Sequence, residues 1–274
     1  MNRYIYREFA KWFAFAVGVA LTHQTKAVPI DLGTAGGFAV LAGTTIRNTG
    51  PTVINGGDVG VSPGTAITGF ASVTGTFTTH SADGVALQAQ NDLTTAYDTA
   101  AGMAFTQNLT DQDLGGMVLL PGTYFFSSSA QLTGMLTLNT LGNPDAQFVF
   151  QIGSMLTTAS NASVVSLGSL DPLCAVFWQV GSSATLGTNT DFQGHIMALT
   201  SITLNTGATI VAGSALARNG AVTLDSNTIN NSDCDVTPVP GGSTSVPDGG
   251  TSCLMLASAL GGLLLLRRRF VHAR

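Results

Sequence analysis

From about residue 135 onward, five short segments share one pattern, a small or apolar residue, an apolar residue, Thr, then Leu or Thr. They are Met135-Leu136-Thr137-Leu138, Met155-Leu156-Thr157-Thr158, Ser183-Ala184-Thr185-Leu186, Ser201-Ile202-Thr203-Leu204 and Ala221-Val222-Thr223-Leu224. Their threonines stand 20, 28, 18 and 20 residues apart. The long step contains a loop insertion around Gly168 to Pro172, which leaves an underlying period near 18 to 20. Such a period suits one turn of a three-sided solenoid, with about five residues per side and a turn at each corner. The spacing therefore predicts a mainly β fold, a three-sided right-handed β-helix.

Strand alternation sorts the side chains of the repeat. On one side Ala184 and Leu186, Ile202 and Leu204, and Val222 and Leu224 point inward, while Ser183, Thr185, Ser201, Thr203 and Thr223 point out. A second side follows a few residues later, with Ala162, Val164, Ala208 and Ile210 inward and Asn161, Ser163 and Thr209 outward. A third side is different. Phe148 to Ile152, Val176 to Val180 and His195 to Leu199 are apolar on both faces, so something must cover their outer surface. The cover predicted is one long α-helix from about Asp83 to Ala101, in which Val85, Ala89, Leu93, Ala96, Tyr97 and Ala100 form a stripe opposite Gln88, Asn91, Asp92 and Asp98. Upstream, Phe38 to Thr79 reads as further coils, and Gly102 to Gly116, which shows no period, as a cap on one end.

Composition agrees with this architecture and narrows the function. The chain is 45% apolar but only 9% charged, so Thr, Ser, Asn and Gly must supply the exterior, and its 33 glycines suit many short strands and turns. A net charge of -5 gives no basic surface for phosphate, which argues against a nucleic-acid partner. Catalysis would need clustered acids, bases or metal ligands. Asp58, Asp111, Asp113 and Asp145 sit among Gly, Asn and Pro as turn closers, His195 belongs to the apolar third side near Asp191, and Arg218 and Asp225 lie on a later coil. No nucleophile elbow, zinc-helix motif or phosphate-binding glycine loop occurs. The expectation is a protein that is not an enzyme and takes no metal or cofactor.

The two ends read as addresses rather than fold. Arg3, Arg7 and Lys11 precede an apolar stretch from Trp12 to Leu21 and a small-residue exit at Ala27, the layout of a secretory signal peptide over residues 1–27. Residues 237–250 form a Pro/Gly/Ser linker ending in Val246-Pro247-Asp248-Gly249-Gly250, and residues 251–274 carry an apolar run from Leu254 to Leu266 followed by Arg267, Arg268 and Arg269. Basic residues after an apolar run stay cytoplasmic while the preceding chain is exported. This tail resembles the PEP-CTERM class of sorting signals in its Val-Pro-Asp variant. The resemblance implies a membrane sorting enzyme that removes the tail and a protein secreted or held at the cell surface. Membrane contact would be confined to these terminal segments. The mature domain, residues 28–236, keeps Cys174 and Cys234, and two cysteines in an exported domain suggest one disulfide.

Several phrases spread along the domain resemble the microbial ice-binding family. They include Leu32-Gly33-Thr34-Ala35-Gly36-Gly37-Phe38, Gly57-Asp58-Val59-Gly60-Val61-Ser62-Pro63-Gly64, Leu120-Pro121-Gly122-Thr123-Tyr124, Val176-Phe177-Trp178-Gln179-Val180 and Leu216-Ala217-Arg218-Asn219-Gly220. The resemblance implies a discontinuous β-helix flanked by a long helix, with one flat β-face turned to an ice crystal. Members often carry Thr-Ala/Gly-x-Thr/Asn on that face, and this motif favours Thr49, Thr52, Thr158, Asn161, Asn189, Thr206 and Thr209 as ice-binding residues. The alternative ice face is the column Thr137, Thr157, Thr185, Thr203 and Thr223, which periodicity alone does not separate from the first. The alternative function is an extracellular matrix or adhesion β-helix that binds carbohydrate or cell surfaces.

Overall fold

The computed structural model describes residues 30–143, 145–168 and 175–232. Within them the chain winds as a three-sided solenoid whose strands all pair in parallel. One side is a nine-stranded sheet whose spatial order runs Thr79–Ser81, Asp58–Val61, Phe38–Ala42, Ala215–Ala217, His195–Ala198, Val176–Val180, Phe148–Ile152, Gly122–Phe126, Gln107–Asn108. The next is seven-stranded: Ala130–Leu132, Leu156–Thr158, Ala184–Leu186, Ile202–Leu204, Val222–Asp225, Thr45–Thr49, Ala66–Thr68. The last is eight-stranded: Val73–Thr76, Thr52–Asn55, Thr228–Asn230, Thr209–Val211, Asp191–Gln193, Ser163–Leu167, Met135–Asn139, Val118–Leu119.

These orders are discontinuous in sequence. The N-terminal coils stack on the last C-terminal coil, with Val40 opposite Ala215, Ile46 opposite Val222 and Ile54 opposite Ile229. The chain must then travel to the far end before it can resume coiling at Gln107. Helix α1, Gly84–Gly102, is that return segment. Its 19 residues rise about 28 Å at ~1.5 Å each, close to six strand spacings of ~4.8 Å. Asp83 caps its first turn by accepting the Ala86 N–H at 2.9 Å, and Gln151 donates to the last carbonyls, Ala100 and Met103, both at 2.7 Å.

The helix covers the outer face of the nine-stranded sheet, as its double-sided apolar strands require. Leu93, Ala96, Tyr97 and Ala100 pack on Leu41, Val149, Phe177, Met197 and Leu216. The Arg218 guanidinium lies 4.6 Å over the Tyr97 ring, whose hydroxyl donates to the Val180 carbonyl. Burial of Leu93 or Tyr97 contributes about 2 kcal/mol each. The buried stripe differs from the expected one at its start: Ala86 faces the sheet and Val85 is 48% exposed. At 100° per residue, positions 86, 89, 93, 97 and 100 make the tighter stripe, and Val85 falls at its rim.

Inside the solenoid, inward side chains stack from coil to coil. Tyr124, Phe150, Trp178 and Phe192 form an aromatic row with centroids 5.4, 3.8 and 4.8 Å apart. The Trp178 indole N–H is satisfied by the Gln193 carbonyl at 3.0 Å. Such a core fixes the coil spacing, and therefore the spacing of whatever lies outside it.

Candidate functional site

Two sides of the prism, the seven- and eight-stranded sheets, are free of the helix and face outward with polar residues. On the seven-stranded sheet the outward residue of each strand is aligned across neighbours: Gln131 opposite Thr157, Thr157 opposite Thr185, Thr185 opposite Thr203, and Thr203 opposite Thr223. Four threonines thus stand in one unbroken ladder of about 14 Å at ~4.8 Å per rung. The column continues through Arg47, opposite Thr223, to Thr68. Beside it Ser183 and Ser201 accept backbone N–H groups of the next coil, Ser201 and Ala221, at 3.3 and 3.2 Å, so their hydroxyls are held rather than free to rotate.

The corner that follows this sheet explains the Thr-x-x-Asn spacing of the sequence. Asn161 and Asn189 have φ of 59° and 55°, and Gly207 has φ of 73°, at equivalent positions of successive coils. This is the left-handed region, which Asn and Gly occupy at least cost. Thr158, by contrast, is turned inward and is 3% exposed. Its hydroxyl meets the Thr190 hydroxyl at 2.7 Å and accepts the Gly187 N–H at 2.8 Å. Thr52 is likewise fully buried, donating to Asn48 Oδ1 at 2.6 Å and accepting the Asn227 N–H at 3.1 Å. Neither can touch a crystal: a corner needs inward partners for its backbone N–H groups, and these hydroxyls supply them.

The remaining favoured residues divide between two surfaces. Thr49 is exposed at the end of the strand Thr45–Thr49, opposite Asp225, and Thr206 is exposed at the corner with its hydroxyl on the Asp225 carboxylate. Both line a furrow of about 440 Å³ that also touches Thr203 and Thr223, so they border the ladder. Thr209 belongs to the eight-stranded sheet, where it aligns with Asp191 and Thr228 and donates to Asp191 Oδ1 at 3.0 Å. Thr137 also leaves the group to which the repeat assigned it. It lies on the eight-stranded sheet between Val118 and Val165, and Gln131 holds its place in the ladder. Both polar sides alternate inward and outward alike, so a four-residue pattern does not tell one side from the other.

The eight-stranded sheet is less regular. One of its outward columns reads Met135, Ser163, Asp191, Thr209, Thr228, Val53, Thr74, and the other mixes Val118, Thr137 and Val165 with Gln193, Val211 and Asn230. Sequence reasoning missed Gln131, Arg47 and Thr68 as members of the seven-stranded face. The alternation Thr45-Ile46-Arg47-Asn48-Thr49, exposed at 45, 47 and 49, carried that signal.

His195 and Arg218, two of the polar groups considered for catalysis, have partners within the fold. His195 is 2% exposed, with Nδ1 2.8 Å from Ser214 Oγ and its ring stacked on Phe177. Arg218 reaches Asp98 at 3.4 Å. Among the described residues no group of three or more His, Cys, Asp or Glu forms a metal site.

The described residues thus form a solenoid with a flanking return helix and one aligned threonine column. The model described as Ice-binding-like matches residues 40–230. The chain belongs to the ice-binding-like family. It is 51% identical over 270 residues to an ice-binding protein of Nostoc sp. (strain HG1), covering 97% of each chain, and 36% identical to one from Colwellia sp., covering 73% of this chain and 83% of that one. Among solved structures, an ice-binding protein from an Antarctic biological consortium is 45% identical with a TM-score of 0.71, covering 74% of this chain and 91% of that one. Another, from the Antarctic ascomycete Antarctomyces psychrotrophicus, is 38% identical with a TM-score of 0.70, covering 74% and 98%. A VPDSG-CTERM motif matches residues 245–270. The expected signal peptide, linker and apolar tail lie outside the described residues, as do Cys174 and Cys234, whose expected bridge gains no support.

Proposed function

We propose that this protein adsorbs to ice through the seven-stranded face, with Thr157, Thr185, Thr203 and Thr223 as the central contacts and Thr49 and Thr206 at the rim. The observation that carries this reading is the register of the four threonines on adjacent parallel strands. Each threonine offers a methyl, which orders adjacent water without bonding to it, and a hydroxyl, which both donates and accepts. The backbone sets the array, and the stiff β-branched χ1 keeps it there. Rigidity matters because each flexible side chain immobilised on contact would cost about 0.5–1.5 kcal/mol. The work is adsorption, and no bond is made or broken. Export by the N-terminal signal and recognition of the VPDSG-CTERM segment by a membrane sorting enzyme would deliver the domain to the cell surface or beyond it, where ice forms.

The test is an ice recrystallisation assay with the purified protein. Crystal coarsening should be suppressed at micromolar concentration and should resume when Thr185 and Thr203 are both replaced by Tyr. Unchanged coarsening with the unaltered protein would sink the reading and favour an adhesion role.

A further inference from the structure

We infer that Arg47 sets the boundary of the ice-contact array, confining it to four coils although the threonine column is built to run further. The inference rests on the seven-stranded face being the ice surface. Read along the stack, the outward column is Gln131, Thr157, Thr185, Thr203, Thr223, Arg47, Thr68, each aligned with the next by strand register. A threonine at position 47 would join four rungs to the sixth. The ladder would lengthen from about 14 Å to about 24 Å at ~4.8 Å per step. Thr45, on the same strand, and Thr49 are already exposed beside it.

Arg47 ends the array for two physical reasons. Its side chain is several bonds longer than threonine's and stands exposed, making no hydrogen bond or ion pair among the described residues. It therefore projects past the threonine plane and holds a flat lattice away from the rungs on either side. Its guanidinium, always charged, would also have to shed water against a crystal that offers no counter-charge. Among the described strands of this face the only carboxylate is that of Asp225, which faces Thr49 and takes the Thr206 hydroxyl. The coils formed by residues 45–81 consequently give the contact surface only Thr49 at its rim and otherwise support the stack. Gln131 terminates the other end of the ladder by length without charge.

The experiment compares the full protein with Arg47→Thr, Arg47→Ser and Arg47→Lys, and with Thr203→Tyr, by dilution series in ice recrystallisation inhibition and by thermal melting. Thr and Ser suit an exposed strand position, so either serves if the other is poorly produced. The expected result is a threefold or greater drop in the concentration needed for half-inhibition for Arg47→Thr, a smaller drop for Arg47→Ser, and no change for Arg47→Lys, all at unaltered melting temperature. Loss of activity on Arg47→Thr would mean that the guanidinium itself contacts ice, and an unchanged value would mean that the N-terminal coils never approach the crystal. Either overturns the inference while leaving the face intact, provided Thr203→Tyr is inactive. If Thr203→Tyr is fully active, the choice of face fails first.

Discussion

Replacing Thr203 by Tyr perturbs the centre of the proposed surface. Thr203 has Thr185 on one side and Thr223 on the other, both at ~4.8 Å. A tyrosine reaches about 4 Å farther from the sheet than a threonine, roughly one van der Waals contact distance, so a flat lattice resting on it loses contact with both neighbours as well as with residue 203. Three of the four rungs are lost, and at about 0.8 kcal/mol per buried methyl this amounts to about 2.4 kcal/mol. On an adsorption constant that is roughly fiftyfold. The fold should not notice, because Thr203 is on the outer side of its strand and an aromatic suits that position, with stability changing by about 0.5 kcal/mol or less. Half-inhibitory concentration in the recrystallisation assay, with melting followed by circular dichroism, reads both quantities. Thr209→Tyr, the equivalent change on the eight-stranded sheet, is the control and should leave activity near the parent value. If Thr209→Tyr is the inactive variant and Thr203→Tyr the active one, the reasoning from strand register is wrong and the ice surface is the other side.

Thr158→Val should separate the motif from the surface: removing the hydroxyl strands the buried Gly187 N–H and should cost about 1–3 kcal/mol in denaturant unfolding, while the folded variant keeps full ice activity. A loss of activity without loss of stability would restore Thr158 to the contact set. Gly207→Ala places a Cβ 2.4 Å from Asn189 Oδ1 at a φ of 73°, so it should lower the melting temperature by several degrees, and an unchanged melt would refute the strained corner. His80 bridges Asp83 at 2.8 Å and Asp58 at 3.4 Å, tying the outermost coil to the start of α1. Burial alone would lower its pKa, but the hydrogen bonds and charges of Asp83 and then Asp58 outweigh that and hold it above 6.5. A raised folded-state pKa stabilises below the unfolded value and ceases to do so as pH climbs past the folded one. The melting-temperature gap between the parent and His80→Gln should therefore be widest below pH 6.5 and shrink with rising pH, whereas a gap independent of pH would rule the clasp out.

The period, the inward columns, the doubly apolar third side and the helix that covers it follow from the sequence alone, because each is a local pattern read against strand or helix geometry. Ala184, Ile202 and Val222 had to point in once Thr185, Thr203 and Thr223 pointed out. Residues shared along the chain were equally legible as family membership, from Leu32 to Gly220. What the sequence did not decide is which residues become neighbours across coils. The strand Thr45–Thr49 lies beside Val222–Asp225, more than 170 residues away in the chain, so Arg47 enters the threonine column only in three dimensions. The inward turn of Thr158 and Thr52 was hidden for a related reason. Strand alternation turns both inward, Thr158 in line with Leu132 and Thr52 in step with buried Ile54, but a four-residue motif read across the corner joins residues of two sides and masks that alternation. Sequence period fixes spacing along one coil, whereas register between coils, set by side-chain packing in the core, decides what a flat surface presents.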